Sequence, residues 1–172
     1  MLSDSETREA SRLAALEGLH VLDSTAEKDY DDLTRIAARI CGTPAAAIAL
    51  IDVERQWFKS KVGIEASETP REFSFCAHAI QKPEEVLVVS DATKDERFMD
   101  NPFVTASNGV RFYAGAPLVT TSGHAVGALC VTDWRPGAID AAQIDMLQFL
   151  ARQVVCQLEI RAEALHGSLS NH

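Results

Sequence analysis

The chain is 172 residues long, 47% hydrophobic and 24% charged, a length and balance at which one domain can bury its own core without disulfides or structural metals. Its 16 basic against 25 acidic residues leave a formal charge of -9, which repels phosphate backbones and anionic lipid surfaces and argues against nucleic-acid or membrane partners. The longest apolar run, Pro44 to Ile51, falls far short of the roughly 18 residues a spanning helix needs. The start, Met-Leu-Ser-Asp-Ser-Glu, is acidic where a signal peptide is basic, so a cytoplasmic location is expected.

In chain order, Ser3 followed by Glu6 reads as a capping box opening a helix that carries Leu13, Leu16 and Leu19 and stops near Gly18. Ser24 and Glu27 repeat that signal, and the second predicted helix presents Tyr30, Leu33, Ile36, Ala37 and Ile40 before Gly42 and Pro44 end it. Between Ala45 and Asp133 the pattern changes to short apolar runs divided by turn residues, AAAIALID, QWFKSKV, VLVVSD, VRFYAGAPL and AVGALCVTD, which predict strands. A last helix is predicted from about Asp140 to about Leu165, with Ile144, Leu147, Ala151, Val154 and Leu158 spaced as a heptad seam. Helices at both ends of an antiparallel meander make an α+β domain whose terminal helices cover one face of the sheet. The long connections from Gly63 to Val86 and from Ser90 to Gly109 are then left to cover the other.

The final hairpin indicates which side chains share a face. With Thr120 to Gly123 as a two- or four-residue loop, Ala116 opposes Gly127, Ala114 opposes Leu129 and Phe112 opposes Val131. Phe112, Ala114, Leu118, Leu129 and Val131 then form an apolar face for the helices. Arg111, Tyr113, Gly115, Ala128, Cys130 and Thr132 form the opposite face, where a cation, a phenol and a thiol beside very small residues suit a pocket floor. The competing reading has Arg111 and Tyr113 reaching solvent or pairing with Asp91 or Asp95, and a bulge or a three-residue loop would reverse the faces. In the connection from Ser90 to Val104, Asp91, Asp95, Arg97, Asp100 and Asn101 either contact a ligand as a lid or hold an irregular loop together, with Phe98 and Phe103 anchoring it. Gly115 and Gly127 lie mid-strand and build no phosphate loop.

Cys41, Cys76, Cys130 and Cys156 show no metal-site or redox spacing and read as free, buried thiols. In FSFCAHAI, Ser74 caps a short helix from Phe75 to about Lys82, ended by Pro83. On that helix Cys76 and His78 point to nearly opposite sides, so no shared metal is expected. Phe75 and Cys76 are read as pocket-lining, with Cys76, Ala79 and Ile80 turned inward.

The stretches RFYAGAPL and GHAVGALCVTDWRP, together with IDVERQWFKSKVG, FSFCAHAI and VSDATKDERFMDNPFV in this order, resemble a subgroup of GAF domains, the small-molecule-sensing modules of bacterial signalling proteins. The resemblance spans about Asp23 to Leu165 and implies a GAF/PAS-like twisted antiparallel sheet, with terminal helices on one face and a ligand pocket roofed by the connecting loops on the other. It divides the chain into an N-terminal helix over 1–22, the GAF domain over 23–165 and a disordered tail over 166–172. Some tetrapyrrole-binding relatives attach their chromophore through a cysteine followed at once by histidine; here Ala77 intervenes, and neither a covalent chromophore nor a metal is expected. The function expected is a non-enzymatic sensor of an unidentified small molecule, with Phe75, Cys76, Asp91, Asp95, Asn101, Arg111, Tyr113, Cys130 and Thr132 as candidate ligand-binding residues. Part of the heptad seam, extended to Leu165 and flanked by Leu150 and Val155, is expected to cover the sheet, and the remainder, with Leu13 and Leu16, to form a homodimer through the terminal helices that carries the signal toward a signalling protein partner. The alternatives are a thiol-dependent reductase of the free methionine sulfoxide type, using Cys76 and Cys130, and a purely architectural dimerisation module.

Overall fold

The computed structural model describes residues 1–170, with side chains through residue 167. Helices α1 (Asp4–Gly18) and α2 (Lys28–Cys41) precede strands β1 (Ala45–Ile51), β2 (Arg55–Val62) and the short β3 (Glu68–Pro70). A 3-10 turn (Arg71–Phe73) leads into α3 (Phe75–Ala79), followed by β4 (Leu87–Val89), a second 3-10 turn (Ala92–Lys94), α4 (Pro102–Thr105), β5 (Phe112–Val119), β6 (Ala125–Asp133) and the long α5 (Ala141–Ser170). The expected tail over 166–172 overlaps α5 as far as Ser170; its last two residues lie outside the described residues.

The strands form one antiparallel sheet in the order β3-β2-β1-β6-β5-β4. One face packs on helices α1, α2 and α5 through Leu16, Tyr30, Ala37, Ile48, Leu50, Phe112, Leu129, Val131, Leu147, Val154 and Leu158. The other carries Ala47, Ala49, Tyr113, Ala128 and Cys130 and is roofed by Phe75, Cys76, Ala79, Phe98 and Val104 from the two long connections. The predicted division of labour between the faces therefore holds.

Several local expectations need correction. The Ser3–Glu6 capping box is present, but Ser24 and Glu27 do not form one: Glu27 is the N-cap of α2 and makes no side-chain cap bond. Both residues instead receive the ammonium of Lys59, at 2.9 Å from Ser24 Oγ and 2.5 Å from Glu27 Oε2. Alternation after Phe58 carries Lys59 to the helical face, and β2 bulges at that point: Ile48 pairs with Ser60 while Ala49 pairs with Phe58, so Lys59 is the extra residue. Lys59 and Ser60 consequently both face the helices, where the Thr34 hydroxyl donates to Ser60 Oγ at 2.8 Å and Ser60 donates to Asp31 at 2.6 Å. The heptad seam of α5 is also spent inside the chain, since Leu147, Ala151, Val154 and Leu158 are buried in its own core. Cys156 on the same helix does not meet the expectation of a buried thiol: it is exposed, while the other three cysteines are buried. Finally, α3 ends at Ala79, and successive i to i+3 turns carry the chain on to Lys82.

Candidate ligand pocket

The hairpin of β5 and β6 provides the floor. Its register, with Phe112 opposite Asp133, Ala114 opposite Val131 and Gly115 opposite Cys130, is displaced by two residues from the predicted one. The loop closes at Val119 and Ala125, one residue longer than predicted, and a bulge at Leu118/Val119 adds a second one-residue shift. Two such shifts cancel in parity, so every side chain keeps its predicted face.

Small residues make the floor deep. Tyr113 lies along the strand over Gly115, where an added Cβ would stand 2.1 Å from the phenol oxygen. This path brings the Tyr113 hydroxyl to Cys76 on α3, to which it donates at 3.0 Å. Cys130 rises from β6 beside the same thiol; its hydrogen bond with Cys76, followed by burial, pushes the Cys130 thiol well above the ordinary cysteine range. Burial, then the two neighbouring thiols, likewise keeps the Tyr113 phenol neutral. Overhead, Phe75 stacks on Phe98 with centroids 4.1 Å apart and meets Tyr113 at 5.1 Å. The result is an uncharged, polarisable floor and roof.

Beside this cluster opens a cavity of about 530 Å³. Tyr113, Cys130 and Thr132 form its floor, Phe75, Cys76 and Phe73 one wall, Gln56, Phe58 and Thr69 another, and the segments 63–66 and 106–110 with Phe103 and Trp134 its rim. The volume lies within the range of small-ligand sites, and the lining mixes aromatic walls with a few polar groups, as such sites do. A larger cleft of about 660 Å³ outside α3 is a polar surface trough bounded by Glu54, Arg71, Glu72, His78 and Gln81. It lacks the apolar walls that would bury a ligand.

Of the predicted site residues, Phe75, Cys76, Tyr113, Cys130 and Thr132 meet at this cavity. Asp91, Asp95, Asn101 and Arg111 do not line it; each is engaged in the loops. Asp91 caps the second 3-10 turn through Thr93, and Asp95 pairs with Arg97 at 2.7 Å. Asn101 accepts from Phe103 N, capping α4, and donates to Phe73 O at 3.0 Å. Arg111 turns its guanidinium to the carbonyls of Val104 and Val110. Cys76 and His78 diverge as expected: Cys76 is buried, while His78 meets Phe98 edge-on, and burial with the nearby Arg97 charge lowers its pKa. Among the described residues no cluster of three or more His, Cys, Asp or Glu is placed to hold a metal. No described helix is long and apolar enough to cross a membrane.

Gln56, Phe58, Phe73 and Trp134 are cavity residues that the sequence reading did not select. The available signal was the alternation in QWFKSKV, which puts Gln56 and Phe58 on one face of β2.

The GAF domain family model matches residues 25–158. A cyclic di-GMP phosphodiesterase of Pseudomonas aeruginosa is 40% identical over 151 residues, a match that takes in 87% of this chain but only 26% of that protein. Among solved structures, the GAF domain of an Acinetobacter phosphoenolpyruvate-protein phosphotransferase superposes with a TM-score of 0.63 at 18% identity, over 96% of this chain and 99% of its own. A free methionine-R-sulfoxide reductase of Neisseria meningitidis gives 0.64 at 16% identity, over 95% and 97% respectively, a likeness of fold alone. With the family model covering most of the chain and the six-stranded antiparallel fold superposing on a solved GAF domain, the chain belongs to the GAF domain family.

Proposed function

We propose that the chain is a non-enzymatic cytoplasmic sensory module: a small molecule enters the cavity, and its presence is passed through the sheet to α5. The observation that carries this reading is the position of β2. Its Gln56 and Phe58 line the cavity, and the next residue, Lys59, sends a fully buried side chain through to the helical face. There Glu27 bridges Lys59 at 2.5 Å and Arg161 of α5 at 2.8 Å. A ligand that moves Phe58 thus pulls on an ion chain ending on the output helix. The 40% identity to a segment of a cyclic di-GMP phosphodiesterase fits a regulatory role beside a catalytic region.

The partner surface is a second copy of α5. With the predicted seam buried, the exposed stripe is Met146, Phe149, Gln153, Cys156 and Ile160, alternately three and four residues apart. Pairing in parallel across a two-fold axis would place Cys156 against its copy. Mild oxidation should then yield a disulfide-linked dimer that Cys156→Ser abolishes and Phe149→Glu prevents. A wild type that sediments as a monomer refutes this assembly. For sensing, the test is a thermal-shift screen over nucleotides, amino acids, haem and aromatic heterocycles, read against a pocket-filling Thr132→Trp variant. A saturable rise lost in the variant supports the reading, and no response from any class overturns it.

A reductase reading is favoured by one observation, the contact of Cys76 and Cys130 inside the cavity. Two thiols hold the two electrons that reduction of a sulfoxide to a sulfide consumes, ending as a disulfide and water. The raised Cys130 pKa argues against the thiolate this needs. Consumption of methionine sulfoxide by the wild type that is lost in Cys76→Ser or Cys130→Ser would establish the enzyme reading; none is expected.

A further inference from the structure

If the cavity is a ligand site, as proposed above, its lining also selects the ligand's chemistry. We infer that it takes a flat aromatic molecule that is neutral or cationic, and that it rejects phosphate-bearing nucleotides, cyclic di-GMP included.

The walls are aromatic on several sides, with Phe58, Phe73, Phe75, Phe103, Tyr113 and Trp134 all presenting surface to the cavity. Planar faces of this kind favour a planar guest, because ring stacking adds to the gain from apolar burial. The charge balance runs the other way from an anion site. Among the described residues no Lys, Arg or His lines the cavity, and the one charged lining residue is Glu65. Of the cations that flank lining residues in sequence, Arg55 is engaged with Asp23 and Asp52, Lys59 with Glu27, Lys61 Nζ with Glu65 O and Ala66 O at 2.6 and 2.8 Å, and Arg111 with Val104 O at 2.7 Å, while Arg135 is exposed beside the rim residue Trp134 and is not part of the lining. The floor contributes no compensating charge, since Cys130 and Tyr113 are held in their neutral forms. The Gln56 amide is committed to the Thr69 hydroxyl at 3.1 Å, and its carbonyl accepts from Ser74 at 2.6 Å. That leaves the Thr69 and Thr132 hydroxyls, the Asn108 amide and the Trp134 indole N–H as lining side-chain groups suited to a few directional hydrogen bonds. Side-chain donors this few replace little of the hydration of a phosphate, and the exposed Glu65 carboxylate adds a modest repulsion of an anion. A net charge of -9 opposes anions at long range as well.

The test varies charge on one aromatic frame. Tryptamine, indole-3-ethanol and indole-3-acetate are titrated into the full chain by protein-observed NMR, with cyclic AMP, cyclic GMP and cyclic di-GMP beside them. Tryptamine and indole-3-ethanol are expected to shift the amides of Thr132, Cys130 and Phe58, and to bind at least about tenfold tighter than indole-3-acetate. Glu65→Gln should reduce the advantage of tryptamine over indole-3-ethanol by about threefold, as for an exposed carboxylate. Thr132→Trp, and independently Ala106→Trp at the exposed rim, should remove the shifts without loss of fold. If a nucleotide or indole-3-acetate binds there as tightly and is lost in those variants, the sensing reading stands and the ligand class is wrong. If no probe of either class shifts the lining amides, both fall.

Discussion

Replacing Glu27 by glutamine isolates the one anion that neutralises a buried lysine. The Lys59 side chain has 0% exposure and its ammonium has three oxygen partners, Ser24 Oγ at 2.9 Å, Thr25 O at 2.5 Å and Glu27 Oε2 at 2.5 Å, with the Tyr30 ring at 5.3 Å. Only Glu27 carries charge. Removing one partner of a fully buried pair costs about 3–5 kcal/mol, whereas an exposed pair is worth about 0–1 kcal/mol. Glu27 remains 40% exposed, so solvent screens half of the interaction and a loss of about 2 kcal/mol is expected. At this chain length that lowers the melting temperature by about 4–8 °C.

Lys59→Met should cost less, because it removes the buried charge along with its need for a partner, and Glu27 keeps Arg161. The two losses should therefore not add, leaving a coupling of about 1–2 kcal/mol in the double-mutant cycle. The pH dependence has a fixed sign. Burial raises the Glu27 pKa, but hydrogen bonds and charge from Lys59 and Arg161 outweigh it and hold the folded-state value below the ordinary one. Its contribution is thus present above the unfolded-state pKa of about 4.3 and lost as the pH falls through the folded value. Urea unfolding at pH 7 and pH 3 reads both effects. An E27Q protein as stable as the wild type, or strictly additive losses, would falsify the argument that Lys59 depends on Glu27.

Thiol accessibility follows from burial: in the single chain Cys156 is exposed while Cys41, Cys76 and Cys130 are buried, so at a dilution that keeps the chain monomeric an aromatic disulfide reagent should titrate one thiol rapidly and the others only on unfolding, with Cys156 slowed where the α5 dimer forms. Burial, with Asp140 nearby, pushes Cys41 up to about 11, and a second fast thiol at pH 8 would contradict this account. Gly115→Ala should destabilise by about 2 kcal/mol, because a Cβ 2.1 Å from the Tyr113 oxygen must drive the phenol off Cys76. Gly18→Ala, with nothing within 4 Å, should leave stability unchanged or raised, and equal effects at the two sites would count against the packing argument. Glu9 bonds Arg12 at 2.8 Å and Arg71 at 2.7 Å; Arg12 first, against some desolvation, and then Arg71 lower its pKa from 4.5 to about 2. A stability gap between wild type and Glu9→Gln should therefore be full above pH 5 and vanish as the pH falls toward 2, and a gap that persists at pH 2 would show that charge is not its source.

What the sequence conveyed depended on whether the information was periodic. Facing is periodic, so Phe112, Ala114 and Leu129 were legible as core and Tyr113, Cys130 and Thr132 as pocket floor even though the register was displaced by two. Loop chemistry is not periodic. Asp91, Asp95, Asn101 and Arg111 are polar residues near a pocket, yet each satisfies backbone or side-chain partners within its own loop, and composition cannot distinguish that duty from ligand contact. The heptad in α5 is legible in the sequence, but a heptad does not say how much of its surface stays within the chain, and here Leu147, Val154 and Leu158 cover their own sheet.

Lys59 shows the same limit from the other side. Strict alternation through Trp57, Phe58, Lys59 and Ser60 would send Lys59 to the helices and Ser60 to the pocket, and a serine there would add a further hydroxyl to the wall formed by Gln56, Phe58 and Thr69. The bulge keeps both on the helical face and leaves Phe58 as the wall. A one-residue irregularity without a glycine or proline to announce it therefore keeps the Ser60 hydroxyl out of the pocket, beside a lysine that carries a charge from the strand toward Glu27 and Arg161 of α5. Deleting Lys59 would restore regular pairing and remove the ion chain together, so the deletion should uncouple α5 from the pocket more completely than K59M does. Amide exchange along α5 with and without bound indole-3-ethanol measures that difference, and protection that responds equally in the deletion and in the wild type would place the route elsewhere.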